Sequence, residues 1–302
     1  MQPIRVRTPA HPAFAAAAPW VFVLLWSTGF IGARYGLPYI EPFTFLLLRF
    51  VIAASLLAAV SLTLRVPWPQ PKQLGHIAVV GLLLHAGYLG GVFFAIDHGM
   101  SAGVASLIVS LQPILSAVIA QIALREPVAG RQWVGLALGF VGAGMVITEK
   151  LIAPGSAAAS ISGATLTAAL IALVSTTSGT LYQKRFGGSM PLTTGTCVQY
   201  LVAAAVMLVA SFAFEQREIT WVPQLAFALG WLVLVLSLGA ILLLMTLIRV
   251  SSSARVTSLF YLVPPATALE AFFVFGERFG PMALGGLALA SVGVALVVAP
   301  TR

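Results

Sequence analysis

The chain is a succession of apolar runs, each about as long as a bilayer is thick, separated by short polar breaks. A hydrocarbon core of roughly 30 Å takes about 20 residues of helix. Ten runs reach or approach that length: 15–34, 43–64, 74–96, 101–124, 131–148, 162–183, 191–214, 224–248, 252–275 and 280–299. In lipid the backbone must satisfy itself, and continuous apolar runs do so as helices. With 60% apolar and 8% charged residues, the chain could not cover an ordinary surface in water. The expected fold class is an all-α integral membrane protein with ten transmembrane helices. Most breaks carry turn formers: Gly36, Pro38 and Pro42; Pro67, Pro69 and Pro71; Pro127 and Gly130; Pro154 and Gly155; Gly187, Gly188 and Pro191; Pro223; Gly280 and Pro281. The third and fourth runs are separated only by Asp97–His98–Gly99. The alanines 15–18 precede the first apolar helix, whereas a signal-peptidase site would come after it, so an uncleaved first span is expected.

A shift of 151 residues lays the stretch 101–148 on a degraded copy of itself. Pro113 then falls on Pro264, Glu126 on Glu277, Gly135 on Gly286 and Gly142 on Gly293, with a scatter of Leu, Ala and Val matches between them. The expectation is an internal duplication, with boundaries at 1–150 and 151–302. Basic residues fix the orientation. With a cytoplasmic N-terminus, the inner segments hold eleven Lys and Arg: Arg5, Arg7, Arg65, Lys72, Arg125, Arg131, Lys184, Arg185, Arg249, Arg255 and Arg302. The outer segments hold four, Arg34, Lys150, Arg217 and Arg278, so both termini are expected inside. The net charge of +8 is thus a topology signal, and no nucleic-acid partner is expected. Five spans per half is an odd number, so the second copy enters the membrane from the opposite side. Inverted repeats mark transporters that hold cargo near the midplane between the halves.

Several stretches resemble a known family: WSTGF at 26–30, PFTFLLLRF at 42–50, ASLIVSLQPILSAVIAQIALREP at 105–127 and the glycine-rich run after it. Together with ten spans in two halves, they resemble the EamA branch of the drug/metabolite transporter superfamily over nearly the whole chain. Within that branch the likeness is to bacterial exporters of aromatic and other neutral amino acids. The resemblance implies outward transport across the bacterial inner membrane by alternating access, with the bilayer and a small-molecule cargo as partners. Residues 166–205 depart from the first-half pattern, so the two halves are expected to contribute unequally to the site.

Polar groups inside hydrocarbon need partners or a water-filled cavity. Counted along the runs, Trp26, His85, Gln112, Gln199 and Tyr200 lie within about a turn of the midplane, and Tyr88 lies three residues beyond His85. These six are the expected substrate-binding residues; each also admits a packing role, and Gln112 could satisfy the carbonyl that Pro113 leaves without a donor. Arg49 and Glu270 lie six to seven residues, roughly 10 Å, to the outer side of the midplane. Their similar depth permits a salt bridge, structural or gating, and Glu270 is the only carboxylate well inside a run. Pro113 and Pro264 interrupt helices at matching positions and are expected hinges. Gly135, Gly139 and Gly142, echoed by Gly285, Gly286 and Gly293, suit close helix packing, static or between two chains.

Other classes fit poorly. None of the four histidines is followed by Glu as in HExxH, Asp97 is the only aspartate, and Cys197 is the only cysteine. No metal, cofactor or enzymatic activity is expected, and no ATP-binding motif is present, so a gradient must supply the energy. A multidrug exporter of lipophilic cations and a channel-like facilitator remain alternatives. Nothing in the sequence requires more than a monomer.

Overall fold

In the computed structural model, which describes residues 12–100, 102–119, 121–122, 127–152, 162–275 and 280–298, all ten runs carry helix. At some positions inside these ranges, Pro264 among them, only the backbone is described. Helix α1 spans Pro12–Gly36 and α2 Pro42–Thr63. The third run is α3 (Pro71–Val80), a π segment (Gly81–Gly87) and α4 (Tyr88–Asp97). The fourth is split into α5 (Ala102–Val109) and α6 (Gln112–Ile119). Helices α7 (Gly130–Ile152), α8 (Gly163–Phe186) and α9 (Leu192–Phe214) come next. The eighth run is α10 (Pro223–Trp231), a second π segment (Leu232–Ala240) and α11 (Ile241–Val250). The ninth is α12 (Ser253–Ser258), a 3-10 turn (Leu259–Leu262) and α13 (Val263–Phe275), and α14 (Pro281–Val298) is last. Among the described residues, five stretches are long and apolar enough to cross a membrane: Pro42–Thr63, Pro71–Asp97, Gly163–Phe186, Leu192–Phe214 and Pro223–Val250.

The helix ends arise from local chemistry. Helices α2, α3 and α10 begin with proline, whose fixed φ and missing N–H suit a first turn. A capping box opens α8: Ser162 Oγ accepts the Thr165 N–H at 3.1 Å, and Thr165 Oγ1 accepts the Ser162 N–H at 3.1 Å. The break after Asp97 is real. Gly99 adopts φ 96°, the Met100 N–H reaches the Ala95 carbonyl at 2.9 Å, and the Gly99 N–H reaches that of Ile96 at 3.1 Å. This is a glycine-closed C-terminus, with Met100 packed beside Ala95. Arg5, Arg7, Arg125, Glu126, Pro154, Gly155, Glu277, Arg278 and Arg302 lie outside the described residues.

The 151-residue offset reappears in space. The two π segments begin at Gly81 and Leu232, and the break at Ser110–Leu111 lies 151 residues before Tyr261–Leu262 in the 3-10 turn. Matching helices pack antiparallel. At the end of α9, the Glu215 carboxylate accepts the N–H groups of Phe43 (2.5 Å) and Thr44 (2.8 Å) at the start of α2. At the start of α9, Thr194 donates to the Pro67 carbonyl (2.8 Å), just beyond the end of α2. Glu41 answers from its own side by accepting the N–H groups of Gln216, Arg217 and Glu218. Helices α7 and α14 cross with Gly135 against Gly293, Gly142 against Gly286 and Ala290, and Gly139 against Gly293. Adding 151 to one member of each pair and subtracting it from the other returns another pair in the set, the reciprocity of a two-fold axis. The two glycine stripes thus meet within one chain.

The solvent-facing pattern of a soluble protein is reversed here. Phe212 is 66% and Val209 70% exposed on the outside of α9, whereas Thr176, Thr177, Thr180 and Gln183 of α8 are buried. An outer surface of this kind requires lipid. At the α7–α14 crossing a methyl on Gly142 would lie 2.5 Å from Ala290 N, and one on Gly293 would lie 2.5 Å from Gly139 N. Gly142→Ala and Gly293→Ala should each cost about 1–3 kcal/mol through overpacking, read as a lower thermal midpoint in detergent. Gly144→Ala, with nothing within 4 Å, should leave that midpoint unchanged.

Candidate functional site

A narrow cleft opens between α1, α2, α4, α11 and the second π segment. Its wall includes Trp26, Phe30, Tyr88, Phe93, Leu236 and Arg49. Trp26 of α1 and Tyr88 of α4 lie parallel, with ring centroids 6.2 Å apart and 4° between the planes. Phe22 and Phe260 brace Trp26 from behind at 5.2 and 5.5 Å. Beyond this pair is a second, smaller space, bordered by Trp26, Tyr88, Ser110 and Phe260. The stacked rings therefore stand between two cavities, and the inner one touches both interrupted helices.

Arg49 is the charged group of the cleft. Its side chain is 4% exposed, its Nε donates to Ser237 Oγ at 2.9 Å, and no carboxylate among the described residues pairs with it. Its terminal nitrogens make no hydrogen bond among the described residues, and the residue borders the cleft. The anticipated salt bridge to Glu270 is not formed: Glu270 Oε1 lies 2.5 Å from Ser27 Oγ, and its Oε2 is buried without a partner among the described residues. Depth along a helix sets the height of a side chain, not the direction in which it points. Arg49 turns to the second π segment and Glu270 to α1.

His85, Gln199 and Tyr200 form a buried network behind the cleft instead of lining it. His85 Nε2 donates to Gln199 Oε1 at 3.1 Å, which leaves Nδ1 unpartnered. Gln199 continues to Gln183 Oε1 at 3.4 Å. Tyr200 stacks on Phe50 with centroids 5.6 Å apart, touches the His85 ring at 4.6 Å, and donates to the Ser237 carbonyl at 2.7 Å. Tyr200 and Arg49 thus grip Ser237 from two sides. His85 and Tyr88, three residues apart, do not both line the cleft: Tyr88 does, whereas His85, inside the π segment, turns to Gln199 and Tyr200. Gln112 lies elsewhere: its amide donates to Thr180 Oγ1 of α8 at 3.2 Å, and its own oxygen is unpartnered.

Sequence reasoning missed Ser237, although it is a lone hydroxyl in the middle of the run 224–248, and missed both π segments, which no residue type marks. The proline positions do coincide with irregular backbone. Pro113 comes just after the turn at Ser110–Leu111 that divides α5 from α6, and Pro264 just after the 3-10 turn that precedes α13.

Comparison with known proteins decides what kind of molecule carries this cleft. The chain matches the EamA-like transporter family twice, over residues 15–148 and 163–299. It belongs to that family. Members are transporters, and no enzymatic family is indicated. It is similar to a protein of Escherichia coli strain K12 named "Uncharacterized inner membrane transporter YedA", at 29% identity over 94% of this chain and 91% of that one. It is also similar to "Uncharacterized transporter YvbV" of Bacillus subtilis strain 168, at 26% identity over 91% and 88%. A partial match, 29% identical over 43% of this chain and 41% of the relative, is to a "Probable amino-acid metabolite efflux pump" of Escherichia coli strain K12. A solved crystal structure superposes with a TM-score of 0.76 at 18% identity, covering 94% of this chain and 97% of that one, and so shares the EamA fold.

The buried network makes its own prediction. Gln199→Leu strands the His85 ring without a partner and should destabilise this EamA protein by about 1–3 kcal/mol in a detergent unfolding measurement. Tyr200→Phe, which loses one hydrogen bond to Ser237, should cost nearer 1 kcal/mol.

Proposed function

We propose that this EamA protein exports aromatic and other neutral amino acids across the bacterial inner membrane by alternating access. In this reading it has ten spans in two inverted five-helix repeats, 1–150 and 151–302, with both termini cytoplasmic. The observation that carries it is the unpaired Arg49 guanidinium on the wall of an aromatic cleft. A buried cation without a counter-charge is costly in hydrocarbon, and a carboxylate relieves that cost. An amino acid brings that carboxylate. Its side chain would lie along Trp26, Tyr88, Phe30 and Phe93, and its ammonium group would meet aromatic faces, which attract cations. Tyr200 and Ser237 hold Arg49 in place, and His85, Gln199 and Gln183 support Tyr200 from behind. The relative named as an amino-acid metabolite efflux pump agrees with this class of cargo.

A lipophilic cation is a poor second choice, because it would enter beside Arg49 with nothing negative to receive it. The cleft therefore does contain the fixed charge that a purely aromatic multidrug site would lack. The inner cavity touches both the Ser110 break and Phe260 of the 3-10 turn, so bending at either place changes its shape. Pro113 and Pro264 each leave a carbonyl four residues earlier without its usual amide donor, which lowers the cost of bending there.

Counterflow into proteoliposomes with labelled aromatic amino acids and labelled lipophilic cations tests the reading. Stimulation by internal amino acid is expected for a carrier, and its absence with rapid flux would point to a channel. Arg49→Gln should weaken amino-acid affinity by about 2–4 kcal/mol, roughly 30- to 1,000-fold, and Trp26→Ala should weaken it through lost contact. Transport of cations but not of amino acids would refute the assignment. Pro113→Ala and Pro264→Ala should lower rate more than affinity, with cysteine labelling from the two faces shifting in opposite directions.

A further inference from the structure

We propose that Glu270 is a proton-binding site of the transport cycle and carries its proton in the conformation described here. Ser27 Oγ lies 2.9 Å from the Leu24 carbonyl and 2.5 Å from Glu270 Oε1. A serine hydroxyl has one hydrogen, so it cannot make two full-strength hydrogen bonds as a donor. A neutral carboxylic acid resolves the conflict. Its O–H donates to Ser27 Oγ, and the Ser27 hydroxyl passes its own hydrogen to Leu24. Glu270 Oε2 is buried and has no partner among the described residues. As the carbonyl oxygen of an acid it is tolerable, but as half of a carboxylate it would be an unsolvated charge.

Among the described residues no cation is placed to stabilise that charge. Helix α13 packs against α1, α5, α7, α14 and the 3-10 turn. Helices α5 and α14 contain no titratable residue, and neither does the rest of α13. Helix α1 has Arg34 and Tyr35 only at its far end, seven and eight residues past Ser27. Helix α7 has Arg131 near its start and Glu149 and Lys150 near its end, and the 3-10 turn offers Tyr261. Arg49 bonds Ser237, not Glu270.

Loss of the proton therefore needs water at Oε2, and the closed α1–α13 contact withholds it. Swinging α13 away from α1 at the turn before Pro264 admits water; the O–H bond breaks, the proton leaves to that water, and the carboxylate is solvated. Rebinding reverses the step from the other face. Ser27 is the neighbour of Trp26 on α1, so the same movement reshapes the cleft wall. An inward proton gradient can drive export only by exchange, one proton entering as one cargo molecule leaves.

Two measurements test this. Infrared spectra of the purified wild type at neutral pH should contain the carbonyl-stretch band of a neutral carboxylic acid that disappears in Glu270→Gln; identical spectra would overturn the proposal whatever the cargo is. In proteoliposomes, amino-acid counterflow without a pH gradient tests the cargo reading alone. With a gradient, one-proton exchange supports about tenfold accumulation per pH unit. The wild type should accumulate accordingly and Glu270→Gln should lose the dependence. Equal gradient-driven accumulation in both, or none in a wild type that shows counterflow, would overturn Glu270 as the coupling site. If no amino acid is exchanged, the cargo reading falls and the infrared band still decides the proton site.

Discussion

A guanidinium held inside an apolar membrane protein, with no carboxylate among the described residues to balance it, is the constraint on which the site depends. Burial of Arg49 is sustained by few groups: Ser237 Oγ takes one N–H, and the Tyr200 hydroxyl fixes Ser237 through its carbonyl. Arg49 otherwise borders the cleft. An arrangement of this kind is costly while empty and becomes less so when an anion arrives. The aromatic pair Trp26 and Tyr88 then determines what the anion must carry with it, a flat or apolar body of small size.

The duplication explains how such a site is assembled and why it is lopsided. Arg49 and Tyr200 are 151 residues apart, as are His85 and Leu236, so the two residues that hold Ser237 occupy equivalent positions on paired antiparallel helices. The backbone obeys the two-fold closely, with π segments and helix breaks in register. Chemistry does not obey it. The counterparts of Trp26, Gln112 and Glu270 are Thr177, Val263 and Ile119, so one scaffold, used twice, carries different side-chain chemistry in its two halves. In the inverted arrangement proposed above, bends at the two related breaks would open opposite faces of a carrier.

The helical runs were legible because a bilayer imposes their length, and most breaks because proline and glycine mark them; Gly99 closes α4 just where Asp97–His98–Gly99 suggested. Depth counting placed Trp26 near the midplane and Arg49 on its outer side, and Tyr88 followed from its spacing to His85, but depth cannot tell a cleft wall from the packed layer behind it. That is why His85, Gln199 and Tyr200 were grouped with the lining, and why Arg49 and Glu270 were paired although each faces a serine on a different element. The π segments were invisible, since Gly81–Gly87 and Leu232–Ala240 share no composition that separates them from α-helix. They nevertheless set the direction of Ser237, Leu236 and His85, and so the shape of the site.

The central claim, that Arg49 receives the carboxylate of the cargo, is tested most directly by calorimetric binding of an aromatic amino acid and its methyl ester to purified wild-type and Arg49→Gln protein. The account predicts that esterification weakens binding to the wild type by about 2 kcal/mol or more and makes little difference in the variant, a coupling expected of a buried charge pair. An ester that binds the wild type as tightly as the free acid would contradict it.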